Sequence, residues 1–93
     1  MIRTILGYCA RIQNGRTEDD IFDHLNDEFV ELGLDIINTR NDRPIGEDGI
    51  LGEAIDVLLC AIDYEHKKNP NITAEEIEAI ILRKLDKWER IYG

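Results

Sequence analysis

Two pairs of acidic residues interrupt stretches that are otherwise rich in apolar residues. Glu28 and Glu31 lie within DEFVELGLDI, and Glu53 and Asp56 lie at the same spacing within EAIDVLLCAI. In a helix, residues three positions apart lie on the same face. Each pair therefore presents two carboxylates side by side at the edge of an apolar face.

Four carboxylates that converge in one place favour a particular chemistry. Like charges raise one another's pKa values and favour protonation, unless a cation lies among them. A set of oxygen ligands without Cys or His is typical of a hard ion, Mg²⁺ or Mn²⁺. If the two helices are antiparallel neighbours, the sequence predicts a metal site formed by Glu28, Glu31, Glu53 and Asp56.

Two structural explanations of the same acids stay open on the sequence alone. The carboxylates can face water as a solvated strip, or they can form buried ion pairs with Lys or Arg. Either explanation suffices for one pair of acids considered by itself. Because the same spacing recurs on two adjacent helices, the joint pattern favours the metal site.

Capping residues, Gly and Pro divide the chain into the elements that must position these acids. Thr17 is a good N-cap, Thr73 and Glu76 form a predicted capping box, and Asn14-Gly15 and Asn69-Pro70 are breaks. The four predicted helices cover about residues 2–13, 17–39, 49–68 and 73–92. No stretch alternates apolar and polar residues as a strand does. The sequence therefore predicts one all-α domain over residues 1–93.

Composition and charge exclude several classes of partner. Of the 93 residues, 43% are hydrophobic and 33% are charged, with a formal net charge of −9, which is typical of a folded domain. Duplex nucleic acid is not an expected partner, because its backbone binds basic surfaces. No apolar run is long enough to span a membrane, and no signal peptide is visible. We therefore expect a cytoplasmic protein, with Cys9 and Cys60 as buried, reduced thiols.

The apolar residues are too many for one small core. The second helix is apolar on two opposite sides, and the third is apolar over most of its circumference. Short chains commonly bury such surplus surface by association. The sequence predicts a homo-oligomer, either a homodimer or a homotetramer.

The order of these motifs resembles that of the MazG-like all-α nucleoside triphosphate pyrophosphohydrolases. The resemblance is carried by DEFVEL, GEAIDVLLCAI and RKLDKWERIY, and it covers about residues 20–92. It implies a four-helix MazG-like bundle that hydrolyses a nucleoside triphosphate to the monophosphate and pyrophosphate. It also implies that Glu28, Glu31, Glu53 and Asp56 bind Mg²⁺, that Lys84 binds phosphate, and that Asp27 is an auxiliary acid.

Several secondary candidates complete the sequence interpretation. Lys84 lies within the apolar face of the fourth helix, where it can contact phosphate or simply extend its charge to solvent. Either Glu28 or Glu31 can act as the general base. Further candidates are Arg40 and Arg43 for the triphosphate, and Tyr8, Arg11 and Gln13 for a base pocket.

Three other functions are compatible with parts of the pattern. The nearest is a phosphoribosyl-ATP pyrophosphohydrolase, a related activity on a similar helical scaffold. A second is a non-catalytic helical module whose acids are solvated and whose apolar faces serve assembly. A third is a ferritin-like di-iron site, which requires paired Glu-x-x-His motifs, whereas only Asp63-x-x-His66 approaches that pattern here.

Overall fold

Four helices account for most of the chain in the computed structural model, which describes residues 1–93. They are α1 (Ile2–Ile12), α2 (Glu18–Arg40), α3 (Gly49–Lys68) and α4 (Ala74–Tyr92). No strand is present. The prediction of an all-α protein with four helices is confirmed, and each predicted boundary lies within one or two residues of the observed one.

Local sequence explains where α2 and α4 begin. The Thr17 hydroxyl accepts a hydrogen bond from the Asp20 amide at 3.0 Å, and the Asp20 carboxylate accepts one from the Thr17 amide at 2.9 Å. Thr73 and Glu76 repeat this reciprocal arrangement at the start of α4. Such capping boxes satisfy backbone amides that have no partner within the helix.

The turn between α1 and α2 and the entry into α3 each depend on a glycine. Gly15 has a φ of 76° and Gly49 a φ of 66°. This left-handed region costs little for glycine and is unfavourable for most residues with a Cβ. These two positions let the chain reverse direction around α2.

α2 and α3 form an antiparallel hairpin, which is the principal helix pair of the chain. Near one end, Lys68 Nζ lies 3.1 Å from Glu18 Oε1. Further along, His24 Nδ1 lies 3.6 Å from Cys60 Sγ. Residue numbers therefore rise along α2 as they fall along α3, and this arrangement brings the two acidic pairs opposite each other.

α1 is fastened to the C-terminal half of α3 by buried polar contacts. Asp63 is the one buried charged residue of the chain. Gln13 donates to both its side chain and its backbone carbonyl, and the Arg16 guanidinium lies 2.9 Å from its carboxylate. His66 Nδ1 is 2.7 Å from Gln13 Oε1. Together these contacts fix the angle at which α1 meets the hairpin.

α4 has α1 as its principal helical neighbour. An Arg3–Glu75 ion pair joins these two helices, and the first half of α4 also borders a small cavity together with the C-terminal half of α3. Its apolar side chains remain largely exposed, including Trp88 at 62% and Tyr92 at 84%. The chain is correspondingly flat, with extents of 44 × 40 × 21 Å.

A single chain leaves part of α3 uncovered, as the surplus of apolar residues in its sequence led us to expect. Only 6 of the 93 residues are buried, and Leu51 of α3 is 72% exposed. α2 and α1 are the helices that pack against α3, which leaves part of its apolar circumference without a neighbour. No helix is long and apolar enough to cross a membrane.

Candidate metal centre between α2 and α3

Three of the four predicted metal ligands converge where α2 faces α3. Glu28, Glu53 and Asp56 each have one carboxylate oxygen that lies within 4.8 Å of the corresponding oxygens of the other two. Glu28 comes from α2, and Glu53 and Asp56 come from successive turns of α3. The predicted convergence of acids from two helices is therefore present in the structure for these three residues.

Glu31, the fourth predicted ligand, lies at the rim of this group. It is exposed and is not among the three converging carboxylates. Its charge nevertheless acts on the group, because it raises the pKa of Glu53 and of Glu28. The charge of Glu31 thus belongs to the electrostatic environment of the other three acids.

Asp35 belongs to the same group of acids, although the sequence interpretation did not include it among the site residues. It lies four residues after Glu31 on α2, and its charge raises the pKa of Glu53. The signal was present in the helical period, which places Glu28, Glu31 and Asp35 on one edge of α2. An additional acid on an acidic edge is more often solvated, so spacing alone does not identify it.

Three buried carboxylate oxygens in this region have no hydrogen-bond partner. They are Glu28 Oε2, Asp35 Oδ2 and Glu53 Oε2. Buried polar atoms in folded proteins are nearly always paired, because an unpaired one loses its hydration without compensation. These oxygens are therefore suited to a ligand that binds oxygen, and a divalent cation has that property.

The electrostatics of the group also favour a cation. Burial, together with the charges of Glu31, Asp35, Glu28 and Asp56, raises the pKa of Glu53 from 4.5 to about 7. The pKa of Glu28 is raised as well, first by burial and then by Glu31 and Asp56. Without a cation, burial and mutual repulsion favour the protonated form of Glu53 near neutral pH.

Neither structural explanation of the acids accounts for Glu28 and Glu53. A solvated strip does not fit, because each has a buried oxygen. A buried ion pair with Lys or Arg does not fit either, since the one basic side chain paired with the group is His24, beside Glu28. The ion-pair explanation does apply to Asp63, two turns further along α3 than Asp56, where Arg16 supplies the positive charge.

His24 connects Glu28 to the interior of the hairpin. Its Nε2 lies 3.2 Å from Glu28 Oε1, and its Nδ1 lies 3.6 Å from Cys60 Sγ. Burial raises the pKa of the Cys60 thiol to about 11, so the thiol stays protonated at neutral pH. When the Cys60 thiol donates a hydrogen bond to Nδ1, the single N–H of a neutral His24 ring lies at Nε2. That N–H then donates to the Glu28 carboxylate.

A cavity of about 760 Å³ opens beside the acids, between α1 and the hairpin. Asp56 and His24 line it on the side of the acids, and Arg16 and Asp63 line it further along α3. Most of the remaining wall is apolar and comes from α1. The cavity thus joins the acidic group to the polar contacts that hold α1 in place.

The predicted base-pocket residues of α1 have three different positions. Tyr8 lines the cavity. The Arg11 guanidinium lies over the Tyr8 ring at 4.3 Å from its centroid and does not line the cavity. Gln13 is engaged by Asp63 and His66 and serves to fasten α1. Cys9 and Cys60 are buried and free, as predicted.

The predicted phosphate-binding residues lie outside the acidic group of a single chain. Lys84 is exposed on α4, whose principal helical neighbour is α1. Arg40 is exposed at the end of α2, while Arg43 Nη1 lies 3.5 Å from Asn38 Oδ1. Asp27 is exposed on α2, next to Glu28 in sequence. One chain by itself brings together the acids but not the predicted basic residues.

Comparisons of the chain with models of known protein families, with curated proteins and with solved structures found no match. The functional conclusion below therefore depends on the residues of the site and on the motif resemblance described above.

Proposed function

We propose that this protein is a Mg²⁺-dependent nucleoside triphosphate pyrophosphohydrolase, which releases a nucleoside monophosphate and pyrophosphate. The observation that carries the proposal is the group formed by Glu28, Glu53 and Asp56, with oxygens within 4.8 Å of one another. Two of these acids have a buried oxygen without a partner. In this proposal the three carboxylates hold Mg²⁺, or Mn²⁺ in its place.

The donor set fits such an ion. All the donors are carboxylate oxygens, which Mg²⁺ and Mn²⁺ prefer. Asp56 is exposed, so the group is open on one side to substrate. When bound there, the ion would offset phosphate charge and lower the pKa of a water molecule.

Glu31 is the residue best suited to accept the proton of the attacking water. It is exposed at the rim and is free of ion pairs, whereas Glu28 is engaged by His24. The water oxygen attacks the α-phosphorus, the bond from that phosphorus to the α,β-bridging oxygen breaks, and pyrophosphate leaves. The proton of the water passes to the Glu31 carboxylate.

Assembly is a second part of the proposal. Val30, Leu34 and Ile37 lie on the far side of α2 and are each about half exposed, and α4 has a largely uncovered apolar face. Exposed apolar surface of this kind usually marks an interface. A homodimer or homotetramer would cover it, and a partner copy would then bring its own Lys84 toward the phosphates. This arrangement would supply the positive charge that one chain lacks at the acids.

The two main alternatives differ from this proposal in measurable ways. A phosphoribosyl-ATP pyrophosphohydrolase would act on that substrate in preference to ordinary triphosphates. A non-catalytic helical module would assemble but would release no pyrophosphate. The buried, unpartnered oxygens of Glu28 and Glu53 favour the enzyme over the module, because a purely structural role does not explain them.

The test is a product analysis with purified protein and Mg²⁺. The substrates are the ribo- and deoxyribonucleoside triphosphates together with phosphoribosyl-ATP, and the products are quantified as monophosphate, diphosphate, pyrophosphate and orthophosphate. We expect equal amounts of monophosphate and pyrophosphate, and loss of both on addition of EDTA. Release of orthophosphate and diphosphate would instead indicate cleavage at the γ-phosphate. Absence of turnover on every substrate would contradict the proposal.

A further inference from the structure

We propose that the cavity between α1 and the hairpin holds the nucleoside, and that Arg16 reads the base there as a hydrogen-bond donor. This inference rests on the proposed function and adds a substrate class to it. Arg16 favours bases with a carbonyl oxygen at the reading edge, namely guanine, hypoxanthine, uracil and thymine. Bases with an amino group at the same place, adenine and cytosine, lose this contact.

The cavity has the length and the wall chemistry of a nucleoside site. Asp56 and Asp63, which both line it, are seven residues apart on α3 and hence separated by about 10 Å along the helix axis. A nucleotide whose phosphates lie at Asp56 would therefore extend its base toward Asp63 and Arg16. Ile5, Tyr8 and Leu59 supply apolar wall between these ends, which suits the faces of a base.

Arg16 is held in place before any ligand arrives. Its Nη2 lies 2.9 Å from Asp63 Oδ2, and its side chain is 29% exposed. Asp63 is fixed in turn by Gln13, which donates to its carboxylate and to its backbone carbonyl. A guanidinium has five N–H donors in a planar fork, so one contact to Asp63 leaves donors for the cavity.

Arg16 is the group at this end of the cavity that has hydrogen-bond donors to offer. Each Asp63 oxygen already accepts one hydrogen bond, from Arg16 or from Gln13. His24 is engaged by Cys60 and Glu28. An amino group of the base placed against Arg16 would put two donors in contact, which leaves buried polar groups unpaired. An oxygen at the same position would accept from Arg16, in the way that arginine commonly contacts O6 and N7 of guanine.

Two pairs of substrates compare the two kinds of reading edge. Inosine and adenosine triphosphates differ at positions 1 and 6 of the purine, and uridine and cytidine triphosphates differ at positions 3 and 4 of the pyrimidine. For the wild-type protein with Mg²⁺, we expect kcat/KM to favour the carbonyl member of each pair by about 5- to 150-fold. Ratios near one in both pairs would overturn the inference, while turnover itself would leave the proposed function standing.

Variants then assign the preference to Arg16. Removing Arg16 alone would leave Asp63 buried without its cation, so the test uses the double variant Arg16→Gln/Asp63→Asn, which removes both charges and keeps amide partners for each other and for Gln13. We expect both ratios to fall toward one with helicity retained by circular dichroism. Arg3→Gln, at an exposed ion pair with Glu75, is the matched control and should keep the ratios.

Two further measurements keep the inference falsifiable. Arg16→Lys retains the charge beside Asp63 but loses the planar fork of donors, so it should also lower both kcat/KM ratios. This variant replaces the double variant in the test if the double variant does not fold. Calorimetric binding of inosine and adenosine monophosphates in the presence of Mg²⁺ tests base preference without turnover. Preference for the inosine nucleotide without hydrolysis would support the base site and contradict the proposed reaction. Unchanged ratios in folded variants would overturn the role of Arg16.

Discussion

Glu53 combines two properties that favour the binding of a cation by the acidic group. One of its oxygens is buried without a partner, and its pKa is raised to about 7 by burial and by the surrounding carboxylates. The protonation state of an acid that titrates near neutral pH among other carboxylates changes when a cation neutralises those carboxylates. The pH dependence of stability is therefore informative about this residue.

The first prediction concerns Glu53 in the metal-free protein. Its pKa is higher in the folded state than the ordinary 4.5, so between pH 4.5 and about 7 the folded state binds more protons than the unfolded state. The contribution of Glu53 to the unfolding free energy consequently falls as pH rises through that window. Thermal unfolding in EDTA should show a weaker loss of stability in this window for Glu53→Gln than for the wild type.

Glu78→Gln is the control for this prediction, since Glu78 is an exposed acid on α4, outside the acidic group. It should leave the pH dependence unchanged. Parallel pH profiles for the wild type and Glu53→Gln would show that Glu53 does not titrate abnormally. Saturating Mg²⁺ should also stabilise the wild type increasingly as pH rises through 7, because cation and proton compete for the same oxygens.

The second prediction concerns His24, which contacts Glu28 from the preceding turn of α2. His24→Phe keeps a ring in the hairpin and removes the hydrogen bond that orients the carboxylate. Because outer partners of metal ligands fix ligand geometry, we expect Mn²⁺ affinity to fall by about 10- to 100-fold. Calorimetric titration with Mn²⁺ measures this change, and an unchanged affinity would reduce His24 to a packing residue.

Sequence spacing predicted part of this chemistry and missed the rest for physical reasons. Glu28, Glu53 and Asp56 were predictable because each belongs to a pair of acids three apart, which share one helix face. The same rule included Glu31, which lies at the rim of the group because spacing does not determine how far each acid reaches toward the neighbouring helix. Asp35 follows the same period, but nothing in the sequence tells a buried acid from a solvated one. The Arg16–Asp63 contact depends on the path of the turn after α1, which helical periodicity does not determine.

The elements themselves follow closely from local sequence. Thr17 and Thr73 begin α2 and α4 through capping boxes, and Gly15 allows the turn between α1 and α2. Such short-range signals act within one turn of chain, so they can be recognised without knowing the fold. The direction of α4 is different, because it depends on packing partners that no local signal specifies.

α4 presents its basic residues to solvent in the single chain, which motivates the third prediction. If a partner copy brings Lys84 to the phosphates, Lys84→Met should lower kcat/KM by about tenfold or more, because a charge-assisted hydrogen bond is lost. Helical content should be unchanged, since Met is a good helix former. Steady-state kinetics with Mg²⁺ and a triphosphate measure the effect.

Lys87→Met is the matched control, because it removes the same charge three residues further along the exposed α4. We expect it to change kcat/KM much less. Equal effects of the two substitutions would point to a general loss of positive charge. No effect of Lys84→Met would identify Lys84 as a lysine that only extends its charge to solvent.

At the scale of the whole molecule, a single chain leaves much apolar surface exposed. Only 6 of 93 residues are buried, and large apolar side chains on α2, α3 and α4 are exposed. Exposed apolar surface of this kind usually marks an interface. The proposed association between copies would cover these faces and would bring Lys84 of a partner copy to the acids.

The fourth prediction tests that association at Leu34, which is 52% exposed on the far side of α2 and touches none of the acids. Leu34→Glu would place a carboxylate in an apolar interface, at a cost of several kcal/mol. We expect the assembly to dissociate and activity to fall with it, as measured by analytical ultracentrifugation and pyrophosphate release. Asn71→Glu, in the exposed turn before α4, should change neither. A fully active wild-type monomer at micromolar concentration would contradict the prediction.

The central claim is that Glu28, Glu53 and Asp56 form a divalent cation site, and Mn²⁺ binding tests it most directly. Free Mn²⁺ is followed by electron paramagnetic resonance during titration of the wild type, of Asp56→Asn, and of Asp23→Asn, which removes an exposed acid elsewhere on α2. We predict saturable binding by the wild type and Asp23→Asn, and loss of that binding in a folded Asp56→Asn protein. Equal binding by all three proteins, or none by the wild type, would contradict the claim.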